Sequence, residues 1–185
     1  AMQNAADIAE IEIDFIDCYT TTYVKLYCGL KARELLDEGK TIKEVKDTLE
    51  EVIVNSNTFI VPDDLKHLSA GGRLSPVAAR LGGLLRIKPI LHLDKTSKGV
   101  IDPCDKVRTM NRALKRVVEA FQEAGVDENY DIMLTDVNNK KDADLMEKEL
   151  REAFPNTNII RRPLISTVSA HVGIGTIALQ YIKRI

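Results

Sequence analysis

Several short segments of this chain carry side chains that could bind an anionic group. In Gly71-Gly72-Arg73 a guanidinium follows two glycines and precedes a helix that Ser75 would cap and Pro76 would begin. A guanidinium donates two parallel N–H groups to a carboxylate or a phosphoryl group, and glycine lets the backbone approach the same group. A tight turn with a solvated arginine is the alternative, and these residues alone leave it open.

A second candidate is the segment from Ser169 to Thr176, which we predict to be a loop with an imidazole, hydroxyls and two glycines. His171 could hold a carboxylate oxygen in either protonation state. Gly173 would let the main chain come close to that oxygen, and Thr176 would add a hydroxyl. A structural histidine at a strand end is the competing interpretation. A dinucleotide-binding fingerprint would need a third glycine, which is missing here.

Hydroxyl groups also cluster at a predicted strand-to-helix junction, in Thr20-Thr21-Thr22. Thr21 and Thr22 could donate hydrogen bonds to a ligand, because the N-terminus of a helix favours negative charge. Simple capping of the helix that follows is the alternative.

The remaining reactive side chains form no recognisable catalytic or metal-binding pattern. His67 and His92 each stand alone beside apolar residues, and the 3 cysteines show no CxxC spacing. The sequence contains neither the G-x-S-x-G of a nucleophile elbow nor a Walker loop. We therefore expect no enzymatic turnover, no cofactor and no metal site.

Composition narrows the class of partner. The 185 residues are 44% hydrophobic and 29% charged, and the formal net charge is -2. This balance gives no long-range attraction for nucleic acid, and no apolar run reaches the roughly 20 residues of a membrane-spanning helix. No signal peptide opens the sequence, so we predict a soluble, cytoplasmic protein.

The elements that must position the candidate residues follow from hydrophobic periodicity. Helical spacing predicts helices at residues 1–10, 23–37, 41–55, 76–85, 105–124 and 140–154. Apolar runs predict strands at residues 11–16, 58–62, 87–93, 99–103, 130–135, 158–164 and 175–182. A change of composition near Asn57 indicates a boundary, after which a sheet with helices packed against it is expected.

An ordered string of motifs resembles the central signature of the DegV family. It consists of Phe59-Ile60-Val61, Asp64-Leu65-Lys66-His67-Leu68, Gly71-Gly72-Arg73-Leu74-Ser75, Leu81-Gly82 and Leu84-Leu85-Arg86-Ile87-Lys88-Pro89-Ile90-Leu91. The segment His171-Val172-Gly173-Ile174-Gly175-Thr176 is similar to that family's His-x-Gly-Pro-Gly-Thr loop, and Ile16-Asp17-Cys18 resembles its Asp-Ser region.

The resemblance implies a two-domain α/β fold that encloses a long-chain fatty acid and presents its carboxylate to a separate fatty acid kinase. His171 would belong to the carboxylate-binding network, and Arg73 would lie near the pocket mouth. The family's N-terminal hydroxyl motifs have no counterpart here. Residues 1–57 would therefore be the remnant of a truncated first domain, and residues 58–185 a complete second domain.

An alternative follows from the same departures. Tyr23-Val24-Lys25-Leu26 stands where the family has small residues, and Ile174 replaces the loop proline. Bulk at the first position could fill the pocket. If the absent N-terminal portion has removed half of the cleft, the chain would be a truncated, non-binding interaction or oligomerisation module that self-associates through exposed apolar surface.

Overall fold

The computed structural model describes residues 2–72, 74–76 and 87–185. Within them, strands form a 6-stranded sheet in the order β3-β2-β1-β6-β4-β5. The strands are β1 Ser56–Val61, β2 Lys88–Leu93, β3 Asp102–Val107, β4 Tyr130–Asp136, β5 Asn158–Pro163 and β6 Ile177–Lys183. The helices are α1 Met2–Ala9, α2 Thr22–Asp37, α3 Ile42–Val54, α4 Leu65–Ala70, α5 Met110–Glu123, α6 Lys140–Ala153 and α7 Ser166–Val172. The predicted α/β class is confirmed.

The centre of the sheet is the pair β1 and β6, which lie far apart in the sequence. They run antiparallel, from Ser56 opposite Ile182 to Val61 opposite Ile177. The pairs β1–β2, β2–β3 and β4–β6 are antiparallel as well, whereas β4 and β5 are parallel. Helix α6 makes the crossover that a parallel pair requires.

One face of the sheet is covered by α5 and α6. Helix α5 is amphipathic, and its buried side chains recur at helical spacing: Ala113, Leu114, Val117, Val118 and Phe121. They share one apolar cluster with strand residues that include Phe59, Ile90, Ile132, Leu134 and Leu179. This cluster is the main core, since burial of apolar surface is the dominant favourable term in folding.

The opposite face of the sheet carries two smaller apolar clusters. Helices α2 and α3 cover one end, where Val24, Leu49, Val52 and Ile53 share a cluster with Ile182 of β6. Helices α4 and α7 cover the other end with a cluster that we call the upper cluster, formed by Ile60, Leu65, Leu68, Leu91, Leu164, Val172 and Ala178. Helices α2 and α3 thus share a core with the sheet, and the domain boundary at residue 57 stays a prediction.

Residues 11–16 are not a strand, contrary to the prediction. Their alternating side chains fit a pleated chain, but a strand also needs a neighbour that pairs with its N–H and C=O groups. No strand of the described chain pairs with this segment, whose Ile11 N–H instead donates to the Ala6 carbonyl of α1. Ile16 instead packs against the cluster beneath α2 and α3.

Two further boundaries differ from the prediction. Residues 105–107 belong to β3, where Asp105 pairs with Ile90 and Val107 with Lys88, so α5 begins only after its N-cap Thr109. Residues 166–172, expected to be loop, form α7. Pro76 is helical, but the rest of the helix predicted at 76–85 lies outside the described residues. No helix in the described part of the chain is long and apolar enough to span a membrane.

Candidate functional site

His171 and Gly71 lie side by side, although they come from distant parts of the chain. Helices α4 and α7 pack together over the upper cluster, and each ends at this point. His171 lies exposed in the last turn of α7. A Cβ atom built on Gly71 would lie 3.6 Å from Nδ1 of His171. The imidazole thus lies within van der Waals reach of the Gly71 backbone.

The chain after His171 is a tight loop that requires glycine at two positions. Gly173 has φ +84 and Gly175 has φ +86, a region that other residues rarely adopt. A Cβ on Gly173 would lie 2.9 Å from Cδ2 of His67, and one on Gly175 would lie 2.6 Å from Cβ of Asp63. The loop can thus press against the segment that leads into α4.

Hydrogen bonds hold this loop to the sheet. The Thr176 hydroxyl donates to the Val172 carbonyl at 2.8 Å, and Thr176 is 0% exposed. The side-chain amide of Asn139 donates to the Gly175 carbonyl at 2.8 Å, and the Gly175 N–H donates to Val137 at the same distance. Thr176 therefore stabilises the loop through its bond to Val172, and its hydroxyl proton is already used in that bond.

A second histidine supports the same corner. Nε2 of His67 lies 2.9 Å from the carbonyl oxygen of Ala170 and donates to it, because a carbonyl only accepts. Lys88 forms an ion pair with Asp63 and also donates to the Asp63 carbonyl at 3.0 Å. The His67–Ala170 bond joins α4 to α7, and the Lys88–Asp63 pair joins the start of α4 to β2.

Arg73, the predicted guanidinium of the site, lies outside the described residues. The residues that follow it are placed: Leu74 forms a parallel bridge with Ile101, and the Ser75 N–H donates to the Ile101 carbonyl at 2.9 Å. Ser75 also donates to Asp102. The predicted role of Arg73 stays a prediction.

Thr21 and Thr22 do not join His171. Thr21 is the N-cap of α2 but its side chain makes no capping hydrogen bond, and Thr22 has φ 53. The side-chain amide of Gln180 donates to the Thr21 carbonyl at 2.8 Å, and its oxygen accepts from the Tyr23 N–H at 3.0 Å. Gln180 thus ties the start of α2 to the middle of the sheet, whereas His171 lies at the other end of the same face.

Sequence reasoning missed two polar groups on this face. Gln180 is 3% exposed in the middle of β6, and the Tyr23 hydroxyl donates to Asp131 at 2.7 Å. Burial, together with this hydrogen bond and the charge of Asp131, holds the pKa of Tyr23 above its usual value. The signal was present for Gln180, because a glutamine inside an apolar strand must find buried partners.

Among the described residues, no group of three or more His, Cys, Asp or Glu side chains could hold a metal ion. The site is a rim of histidines and backbone groups above an apolar cluster. Donors in such a rim can hold an anionic headgroup, and the apolar side chains beneath it suit a hydrocarbon group of the same ligand.

The fold and this loop define the class of protein. The family model described as "Uncharacterised protein, DegV family" matches residues 1–184, and the chain belongs to the DegV family. A DegV domain-containing protein of Streptococcus pneumoniae is 36% identical over 149 residues, which are 80% of this chain and 52% of that protein. The chain thus spans about half the length of this relative.

Solved structures agree in fold. A fatty acid binding DegV family protein from Streptococcus agalactiae has 29% sequence identity and a TM-score of 0.89, over 100% of this chain and 65% of that one. The fatty acid kinase (Fak) B3 protein of Streptococcus pneumoniae, loaded with linoleic acid, has 21% identity and a TM-score of 0.78, over 98% of this chain and 64% of that one. At that lower identity the likeness concerns the fold.

Proposed function

We propose that this protein binds a long-chain fatty acid, with the carboxylate at His171 and the acyl chain on the sheet face beneath α4 and α7. The observation that carries the proposal is the position of His171 beside Gly71, above the upper cluster. Membership of the DegV family and the described fatty acid binding of the Streptococcus agalactiae relative support it.

The headgroup needs several donors. A carboxylate that leaves water without partners costs several kcal/mol, so that imidazole and backbone N–H groups must converge on it. His171 is exposed at the end of α7 and lies beside Gly71. The N–H groups of Gly71 and Gly72 already donate to the Ser69 carbonyl, so His171 would be the main donor from this corner. Arg73 would follow directly in the chain and supply a charged donor. Gly173 and Thr176 would act by shaping the loop that carries His171.

The acyl chain needs only apolar surface. Each buried CH₂ contributes ~0.8 kcal/mol, so an acid of about sixteen carbons gains on the order of 10 kcal/mol before binding costs. The upper cluster lies under the histidine rim with the partly buried Leu74, Ile101, Val137 and Val168 around it, and its members are buried against one another. An acyl chain would therefore have to part α4 and α7 from the sheet to reach this apolar surface. Thr21 and Thr22 would meet the distal part of the ligand, at the start of α2.

We propose further that the protein does not turn over its ligand but presents the carboxylate to a separate fatty acid kinase. The exposed position of His171 supports this, because a headgroup held there stays within reach of a second protein. Arg73 would serve this step more than uptake, as its place near the pocket mouth in the resemblance to the family implies.

Native mass spectrometry tests the binding proposal. Protein expressed in a bacterium should carry a copurified acid of about fourteen to eighteen carbons. His171→Ala should weaken binding of added palmitate by roughly 10-fold or more, because a hydrogen bond to a charged group contributes about 1.5–3 kcal/mol. Arg73→Ala should retain uptake and lose phosphorylation by the kinase.

His92→Ala is the matched control, since His92 lies on the opposite face of the sheet and lines a separate cleft with Phe59, Ile90 and Tyr181. It should bind palmitate like the unmodified protein. Equal loss of binding in the His92 and His171 variants, or no uptake of any acid by the unmodified protein, would contradict the proposal.

A further inference from the structure

His67 contacts the segment that carries His171 at two points, one before His171 and one after it. Nε2 of His67 donates to the carbonyl oxygen of Ala170 at 2.9 Å. The ring of His67 also lies against Gly173, where an added Cβ would be 2.9 Å from Cδ2 and 3.0 Å from Cγ of the imidazole. A single side chain of α4 therefore holds the backbone on both sides of His171.

The way α7 ends gives the first of these contacts its importance. The last carbonyl groups of a helix have no partner within the helix itself. The carbonyls of Ser169 and Val172 accept from an N–H and a hydroxyl of the loop that follows α7, at 2.9 and 2.8 Å. The Ala170 carbonyl instead accepts from His67. Of these three bonds, the one from His67 joins the end of α7 to another helix.

The oxygen that His67 binds is directly connected to the backbone of His171. The Ala170 carbonyl belongs to the peptide group whose nitrogen is that of His171, and this group is planar. A bond to its oxygen restrains the rotation of the whole group, and with it the direction in which the His171 side chain leaves the backbone. Helix α7 has 7 residues, and isolated helices shorter than about 12 residues are marginal in water. Its end thus depends on contacts with other elements.

We infer that His67 is a positioning residue of the headgroup site, which holds the backbone around His171 so that the imidazole meets the carboxylate in one orientation. The inference rests on the proposed function and adds to it a residue that acts through His171. Orientation matters because a hydrogen bond weakens steeply when donor and acceptor are misaligned, even where one partner is charged.

Two substitutions separate the hydrogen bond of His67 from its bulk. His67→Leu keeps an apolar side chain against Gly173 and removes the donor, whereas His67→Gln offers an amide N–H in place of Nε2. Calorimetric titration of the delipidated protein with palmitate should show binding about 5-fold weaker or more for His67→Leu, and within about 3-fold of the unmodified protein for His67→Gln. Lys66→Leu, at the exposed neighbouring position of α4, is the matched control and should bind like the unmodified protein.

A double variant, His67→Leu with His171→Ala, shows whether His67 acts through His171. It should bind palmitate as weakly as His171→Ala alone, because the imidazole that His67 positions is already gone. Thermal unfolding, recorded alongside, shows that each variant is folded.

Three results would overturn the inference and leave the proposed function standing. They are losses that add in the double variant, unchanged binding by His67→Leu, and binding by His67→Gln that is as weak as that of His67→Leu. If the unmodified protein takes up no acid, or if His171→Ala binds palmitate normally, the proposed function is overturned and the inference with it.

Discussion

His92 and Asp94 form an ion pair on the side of the sheet away from His171, at 3.4 Å. The hydrogen bond and charge of Asp94 outweigh burial and raise the pKa of His92. Burial alone would raise the pKa of Asp94, but hydrogen bonds from His92, Thr96 and the Ser97 N–H outweigh it and lower that pKa to about 2. Asp94 therefore stays ionised at every pH at which His92 titrates.

The stability of the protein should follow the charge of His92. The pKa of His92 is higher in the folded than in the unfolded state. The stabilisation that its ion pair with Asp94 gives the folded protein is therefore complete below about pH 6.5. It is lost as the pH rises through the folded pKa. The melting temperature of the unmodified protein should fall over this range relative to that of His92→Gln, in scans from about pH 5.5 to 8.5. Parallel curves for the two proteins would show that the pair contributes no pH dependence.

Among single residues, the sequence indicated some of those that lie at the candidate site, but it did not indicate which hydrogen bonds hold them in place. His171 and Gly71-Gly72 could be singled out as donors because their chemistry is visible in the sequence, and the structure brings His171 and Gly71 together. Thr176 also has a hydroxyl donor, but this hydroxyl already donates to the Val172 carbonyl. Whether a hydroxyl is free depends on its neighbours in space, which the sequence does not show.

The loop between α7 and β6 and the middle of α2 both contain glycine, for opposite physical reasons. Gly175 has φ +86 and a Cβ there would meet Asp63 at 2.6 Å, whereas a Cβ on Gly29 would meet nothing within 4 Å. Gly175→Ala should lower the free energy of unfolding by more than about 1 kcal/mol. Gly29→Ala should raise it by about 0.5–1 kcal/mol, because alanine is the better helix former.

Urea denaturation of the two alanine variants provides the measurement. The Gly29 variant is the matched control, since it adds the same methyl group to a helix surface. Destabilisation of equal size in both variants would refute the idea that the loop needs the glycine backbone. The Gly175 variant should also bind fatty acid more weakly, because the loop that carries His171 would shift.

Most of the described helices and five of the six described strands carry a local pattern that predicted them, whereas the bounds of β3 and the fate of residues 11–16 depend on pairing and were not predicted. The amphipathic stripe of α5 and the capping box of α3, in which Thr41 accepts from the Glu44 N–H, are local signals. Strand β3 has the sequence Asp102-Pro103-Cys104-Asp105-Lys106-Val107, with little β propensity, and forms because β2 pairs with it. Residues 11–16 show the reverse case, a strand pattern without a neighbour in the described chain.

For the whole molecule, the N-terminal segments carry apolar side chains that the described residues do not cover. Ile8 is 85% exposed and Leu30 is 64% exposed, and the others are Met2, Ile11, Phe15 and Leu26. Leu26 and Leu30 lie one turn apart on α2 with Gly29 between them. This surface favours the second candidate function, a self-associating interaction module.

Size-exclusion chromatography with light scattering distinguishes the two functions. If the chain is an interaction module, it should be a dimer or larger at micromolar concentration, and the double variant Leu26→Glu with Leu30→Glu should be monomeric. Lys43→Glu, on the exposed side of α3, adds the same two negative charges without touching the apolar surface, and it should leave the assembly unchanged. A monomer that carries a bound fatty acid would rule out the module and support the proposed function.

The position of β6 has a consequence for how the protein is made. It is the last of the six strands in the sequence, yet it lies between β1 and β4 in the sheet. While the chain emerges from the ribosome, β1 with β2 and β3, and β4 with β5, can form only as separate halves. Both halves expose an unpaired edge until residues 177–183 are synthesised, and chaperones would act on the nascent chain during that interval.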